Sequence, residues 1–211
     1  MEVLEYIFGQ YKDYSTFHII LEVIMVITAI ISVLYSKRNS VLVFPYGIIS
    51  TAIFSYLLYE WNLLGDMMIN MYYFIMSVYG WYIWTRKGAH DQETPITSVT
   101  LKEWLISLLL VVVTAIAVYI LYVKTNRLEH IVSYIDMITT GIFFAGMWLM
   151  ALRKIEHWLV LFIGNVISVP LYFYKGYSFS ALLYIFLAII AVIGYVEWKK
   201  YLNNENFLEK K

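Results

Sequence analysis

The sequence predicts an all-α membrane protein, seven transmembrane helices arranged as three, one and three, and three observations carry that prediction. First, 62% of the 211 residues are hydrophobic and only 14% are charged, whereas a water-soluble domain is roughly half apolar and a quarter charged. Second, seven apolar windows of the length that crosses a hydrocarbon core, about 17 to 25 residues, lie along the chain. Third, the ends of the third and seventh windows repeat one another. The same composition excludes other classes. Zero cysteines leave no disulfide, thiolate metal site or cysteine nucleophile, and 15 Lys+Arg balanced by 15 Asp+Glu offer no basic face to nucleic acid.

In order, the windows are residues 17–35, 41–59, 67–84, 104–123, 131–152, 158–174 and 179–196. Only two contain a carboxylate, Glu22 in the first and Asp136 in the fifth. Connections are short except for residues 85–103, a polar stretch with Pro95 that reads as a surface linker. The chain therefore divides into an N-terminal segment (1–16), a first bundle (17–84), a linker plus connector helix (85–129), a second bundle (130–198) and a tail (199–211). The first sixteen residues are acidic and polar rather than basic and then apolar, so no cleavable secretory signal is expected.

Loop lysines and arginines set orientation. Seven spans put the N-terminus on the side of Lys12, Lys124, Arg127 and Lys175, and the other eleven basic residues on the opposite side. The N-terminus is thus expected outside, with the linker and the C-terminus in the cytoplasm.

Span three ends Gly80-Trp81-Tyr82-Ile83-Trp84 before Arg86-Lys87, and span seven ends Gly194-Tyr195-Val196-Glu197-Trp198 before Lys199-Lys200. Upstream, Lys37-Arg38 leads toward Gly47 as Arg153-Lys154 leads toward Gly164. Spans one to three then resemble spans five to seven with a slightly shorter loop in the second copy, and span four is a connector. One connecting helix returns the chain to the same side, which makes the repeat parallel, a plan found in transporters. Trp and Lys/Arg also end unrelated helices at a membrane interface; on that view Trp198 is an anchor, and Trp198→Phe should be mild.

Polar residues within the spans supply the candidate site. In span six, Trp158, Phe162 and Asn165 share one helix face, with Gly164 beside the amide. Pro170 cannot donate to the carbonyl of Val166, so a kink is expected next to Asn165. Gly47, Gly164 and Pro170 are the hinge candidates. Span three carries Asn70, Tyr73 and Ser77 on a stripe, with Tyr72 adjacent; Gly80 and Gly194 differ by 114, which puts Asn70 at the position of Tyr184. An amide in a membrane helix either binds a ligand or hydrogen-bonds a neighbouring helix, and both roles stay open for Asn70 and Asn165. Aromatic rings recognise flat or cationic ligands by stacking and cation–π contact. Glu22 and Asp136 lie toward helix ends, where carboxylates also snorkel or cap; they are secondary candidates. The four histidines lack ligand spacing, and no metal or other cofactor is expected.

Several seven-helix functions are excluded. A retinal protein needs a lysine amine deep in a helix, and span seven has none. No G-x-S-x-G and no Walker lysine motif occurs, which removes a serine hydrolase and an ATPase. A carrier remains, with a receptor or scaffold as the other reading of composition alone.

The residues also carry a family resemblance. Lys37, Val43 to Ser50 (V-F-P-Y-G-I-I-S), Gly65-Asp66, Gly80 to Trp84, and Trp158 to Gly176 with G-N-V-I-S-V-P-L-Y from Gly164, together resemble the PnuC nicotinamide riboside transporters, a family of Pnu vitamin transporters. The resemblance spans nearly the whole chain and is weakest in span four and the tails. It implies a homotrimer of seven-helix protomers in the bacterial inner membrane, each a parallel repeat similar to the SWEET sugar carriers. It also implies facilitated diffusion of a vitamin, trapped afterwards by a cytoplasmic kinase. In that family span six contributes two tryptophans and a following Asn or Asp. Trp158 and Asn165 match, and Leu161 stands where the second Trp is usual. The span-three amide falls on Asn70, beside Tyr72 and Tyr73, and the span-seven aromatic on Tyr184. Relatives of the same fold carry thiamine or riboflavin.

Overall fold

The computed structural model describes residues 15–60, 64–86, 94–126, 128, 130–174 and 178–208. The expected N-terminal segment therefore lies outside the described residues apart from Ser15 and Thr16. Seven helices follow in order: α1 (Thr16–Lys37), α2 (Val43–Glu60), α3 (Leu64–Thr85), α4 (Leu101–Lys124), α5 (His130–Ala151), α6 (His157–Tyr174) and α7 (Ser178–Leu208). Each apolar window becomes one helix because, without water, the backbone satisfies its polar groups within its own segment. The polar residues that flank the windows then cap the ends. Ser15 accepts from the amide of His18 at the start of α1. Thr100 and Glu103 form a reciprocal capping box at the start of α4, with Thr100 N–H donating to Glu103 Oε2 at 2.7 Å.

Five of these helices, α1, α4, α5, α6 and α7, are long and apolar enough to cross a membrane on that basis alone. The other two, 18 and 22 residues long, carry Ser50, Thr51 and Ser55 in α2 and Asn70, Tyr72, Tyr73 and Ser77 in α3. Their lower hydropathy reflects side chains that face protein. Of the named α2 and α3 groups, Ser50, Ser55, Asn70 and Ser77 are buried.

Helix α1 packs on α2, α2 on α3, α3 on α5, α5 on α6, α6 on α7, and α7 closes back on α1. The result is a ring of six, with α4 outside it against α5. The helices that start at residues 16, 43 and 64 are matched by helices starting at 130, 157 and 178, an offset of 114 in every case. Side-chain contacts keep the same offset. A Cβ on Gly80 would meet Phe44 Cε1 at 2.3 Å, and one on Gly194 would meet Trp158 Cε2 at 2.6 Å. Trp84 Nε1 donates to the carbonyl of Met150 at 3.2 Å, and Trp198 Nε1 donates to the carbonyl of Ser36 at 2.9 Å.

This register corrects three expectations. Gly47 corresponds to Leu161 and not to Gly164, which lies almost one turn further on, and no loop is shortened between the halves. Trp84 and Trp198 are not interfacial anchors: they are 2% and 0% exposed, with ring centroids 5.5 Å apart, because each indole bonds across to the other half. Finally, the expected tail is helical through residue 208, since α7 continues past Lys199-Lys200 to Leu208. The linker differs too. Residues 94–100 lie against the bundle and Ile96 is 1% exposed, although residues 87–93 are outside the described set.

Candidate functional site

Between the two halves of the ring lies a cavity of about 350 Å³. Its wall from α1–α3 sets the hydroxyl-bearing Ser32, Ser36, Ser50, Thr51, Tyr73 and Ser77 and the bare Gly47 among apolar Ala29, Val33, Val43 and Phe44. Its wall from α5–α7 is bulky, with Phe143, Met147, Met150, Trp158 and Leu161, and is relieved by Asn165 and Tyr184. No Asp, Glu, Lys, Arg or His lines it among the described residues.

Hydrogen-bond accounting separates structural polar groups from available ones. Most hydroxyl hydrogens are spent on backbone: Ser32 Oγ donates to Val43 O at 2.7 Å, Ser50 Oγ to Met25 O at 3.0 Å, Thr51 Oγ1 to Gly47 O at 2.7 Å and Ser77 Oγ to Tyr73 O at 2.9 Å. Their oxygens keep lone pairs and act as acceptors toward the cavity. Asn165 differs. It is 4% exposed, lines the cavity, and its side chain makes no hydrogen bond to another described residue. Such a group costs free energy unless something in the cavity meets it.

Trp158 is held at the base of α6 by the absence of a side chain at Gly194, against which its six-membered ring lies. It stands edge-on to Trp198, with centroids 6.0 Å apart and planes at 84°. Its Nε1 is buried without a partner among the described residues. Tyr184 stacks beside Phe143 at 6.0 Å and lies 4.8 Å from Tyr172, so α5, α6 and α7 together fix the aromatic wall.

The cavity thus gathers Trp158, Asn165, Tyr73, Ser77, Tyr184 and Gly47 from the residues singled out in the sequence. The others stand elsewhere. Asn70 donates both amide hydrogens to α2, to Thr51 O at 2.6 Å and Ser55 Oγ at 2.9 Å, the helix-packing role. Tyr72 donates to Phe144 O at 2.9 Å and stacks on the Phe144 ring at 3.9 Å, joining α3 to α5. Phe162 packs against the buried core. A Cβ on Gly164 would meet Phe143 at 2.9 Å, so this glycine permits close approach of α5 and α6. Asp136 accepts from the Tyr122 hydroxyl of α4, and neither it nor half-buried Glu22 reaches the wall. Pro170 and Val166 both lie on the exposed flank of α6, whereas Asn165 is buried.

The serines were not singled out beforehand, except Ser77. Ser32 and Ser36 are four residues apart on α1, and Ser50 and Thr51 sit two turns into α2; this spacing was the available signal. His157, set aside as a span-end histidine, is fully buried. Its Nδ1–H donates to Lys154 O at 2.7 Å and its ring packs against both Trp158 and Trp198.

A ring of membrane-length helices around an uncharged, ligand-sized cavity at the junction of two three-helix halves defines a multi-pass membrane transporter. The chain belongs to the nicotinamide mononucleotide transporter family, whose model matches residues 19–200. It is similar to the nicotinamide riboside transporter PnuC of Neisseria mucosa, 24% identical over 187 residues, covering 82% of this chain and 70% of that one. The protein of the same name from Escherichia coli is 23% identical over 176 residues, covering 72% and 74%. That of Haemophilus influenzae is 26% identical over 185 residues, covering 85% and 79%. The crystal structure of the vitamin B3 transporter PnuC superposes with a TM-score of 0.65 at 22% identity, over 96% of this chain and 88% of that one. That superposition shows the shared fold.

Proposed function

We propose that this chain carries nicotinamide riboside across the bacterial inner membrane by facilitated diffusion, in the cavity between α1–α3 and α5–α7. One observation carries the reading: an unspent amide, Asn165, and the Trp158 ring face a hydroxylated wall across a cavity with no charged side chain. A pyridinium ring matches the aromatic wall through stacking and cation–π attraction. Ribose hydroxyls match Asn165, the Tyr73 hydroxyl and the serine lone pairs. A phosphorylated ligand adds a dianion, and among the described residues no Lys or Arg on the wall receives it. The relatives named above as nicotinamide riboside transporters support the same substrate. Trp158, Asn165, Tyr73 and Tyr184 are the binding residues in this reading.

Among the described residues neither Glu22 nor Asp136 lines the cavity, which supports uptake without ion coupling. Accumulation then comes from a cytoplasmic kinase that phosphorylates the vitamin after entry, and the family resemblance supports this and a homotrimer. The constant offset of 114 supports a parallel two-fold repeat like that of the SWEET carriers. The basic count supports an outer N-terminus and a cytoplasmic C-terminus; a thiol reporter at the C-terminus, in a chain with zero natural cysteines, should be shielded from impermeant reagent in intact cells.

The test is purified protein in sealed liposomes with labelled nicotinamide riboside, nicotinamide mononucleotide, thiamine or riboflavin outside. Uptake of the riboside alone, ending at equal internal and external concentrations with or without proton and sodium gradients, is the expected result. Concentrative uptake driven by either gradient refutes facilitated diffusion, and uptake of thiamine or riboflavin alone refutes the substrate.

A further inference from the structure

Phe44 and Trp158, which line the cavity, belong also to a buried layer with Trp84, Trp198, Ile155 and Ile96 that closes the end of the bundle bearing the linker. Ile96 is the member of this layer that comes from the linker, and it is 1% exposed. The linker is fastened there by an isolated bridge. Thr97 N–H donates to Arg153 O at 3.3 Å and Ile155 N–H donates to Thr97 O at 3.1 Å, a parallel bridge between Thr97 and Lys154. Val99 N–H donates to Glu156 Oε2 at 2.9 Å, and Lys154 Nζ pairs with Glu103 at 2.8 Å. At its other end, Thr94 Oγ1 donates to Ile83 O of α3 at 2.6 Å.

Arg153 adds a second fastening. Its φ of 59° is left-handed, a conformation that costs a residue other than glycine about 1 kcal/mol or more. The residue 114 earlier, Asn39, has φ 53°, but asparagine tolerates that region. What offsets the strain at Arg153 is its side chain. The guanidinium is buried, donates to Asn39 Oδ1 at 3.1 Å and to Thr94 O, and lies 4.7 Å over the Trp84 ring. One residue therefore ties the α1–α2 corner, the linker and α3 to the α5–α6 corner. These bonds join the first half of the ring to the second at the end the substrate must leave by.

We infer that residues 94–100 are a gate strap: for the cavity to open toward the linker side, Ile96 leaves the aromatic layer and the Thr97–Lys154 bridge breaks. The inference rests on the carrier reading above. A strap of this kind permits binding while it is fastened and permits translocation only when it is released.

The chain has no cysteine, so a Thr97→Cys/Lys154→Cys pair can lock the strap reversibly. Bridge partners lie about 4.8 Å apart across neighbouring strands, inside the window of about 4.4 to 6.8 Å that a disulfide spans. The pair is reconstituted in liposomes, and exchange of labelled nicotinamide riboside is followed before oxidation, after it, and after added reductant; binding to the detergent-purified pair is titrated in parallel. Single-cysteine variants control for the loss of Lys154. The expected result is riboside binding in both redox states, exchange slowed at least tenfold by oxidation, and recovery on reduction. Exchange that continues at the reduced rate after confirmed disulfide formation overturns the strap. If the reduced pair binds no riboside and the cysteine-free parent also binds none, the carrier reading fails. If the parent binds and the reduced pair still does not, residues 97 and 154 are needed for binding itself and the strap is likewise overturned.

Discussion

Replacing Gly194 by alanine places a methyl group 2.6 Å from Trp158 Cε2 and Cζ2 and 2.7 Å from Cη2. Ordinary carbon contacts lie at about 3.5 to 4 Å, so the indole must retreat by about 1 Å. It cannot rotate freely, because His157 and Trp198 pack on it at 4.5 and 6.0 Å. The open side is the cavity. Gly194→Ala should therefore destabilise by about 1 to 3 kcal/mol, the usual cost of overpacking, and weaken riboside binding by about tenfold, equivalent to about 1.4 kcal/mol. Helix propensity works in the opposite direction, since alanine is better than glycine in a helix by about 1 kcal/mol. In a Trp158→Ala background the clash is gone and only propensity remains, so there Gly194→Ala should be neutral or stabilising. The assay is a double-mutant cycle on thermal midpoint and on binding in detergent. The same sign and size of effect in both backgrounds would refute the packing argument.

Three further substitutions separate binding from stability. Asn165→Leu removes the unspent cavity amide and should weaken riboside binding by about 1 to 3 kcal/mol while leaving the thermal midpoint unchanged or raised; titration and thermal melts check this, and unchanged affinity would remove Asn165 from the site. Asn70→Leu strips the donors to Thr51 O and Ser55 Oγ and should lower stability by about 1 to 3 kcal/mol, with affinity in the folded fraction intact; a selective loss of affinity contradicts the packing role. Trp198→Phe removes one hydrogen bond to the Ser36 carbonyl, which still accepts from Asn39 N–H, and leaves a void beside a fully buried ring; it should cost about 1 to 3 kcal/mol of stability, read as a lowered melting temperature, where an interfacial tryptophan would cost almost nothing.

The helices themselves were legible because membrane length and apolarity leave a chain few alternatives. The window at 158–174 became His157–Tyr174, and that at 17–35 became Thr16–Lys37. The register of the two halves was half legible. Gly80 and Gly194 stand at equivalent contacts, but glycines occur for several reasons, and Gly47 and Gly164 are not partners: one faces the Ser32 and Ser77 hydroxyls and the other faces Phe143. Which polar residues serve a ligand was least legible. Asn70 and Asn165 look alike as letters, and they differ only in whether a neighbouring helix presents acceptors, as α2 does to Asn70 through Thr51 and Ser55. The linker escaped for a similar reason. Its composition is polar, but among its described residues Ile96 alone enters the core, and a single buried isoleucine leaves no periodic trace.

The most direct measurement is a pair of titrations of the purified wild-type chain, one with nicotinamide riboside and one with nicotinamide mononucleotide, at equal ionic strength. If the aromatic wall takes the pyridinium as proposed, then with no basic side chain lining the cavity among the described residues the riboside binds saturably. The nucleotide then binds at least about a hundredfold more weakly, a difference of about 2.8 kcal/mol, because its dianion is desolvated without a partner. Equal or tighter binding of the nucleotide, or no binding of the riboside, contradicts the account.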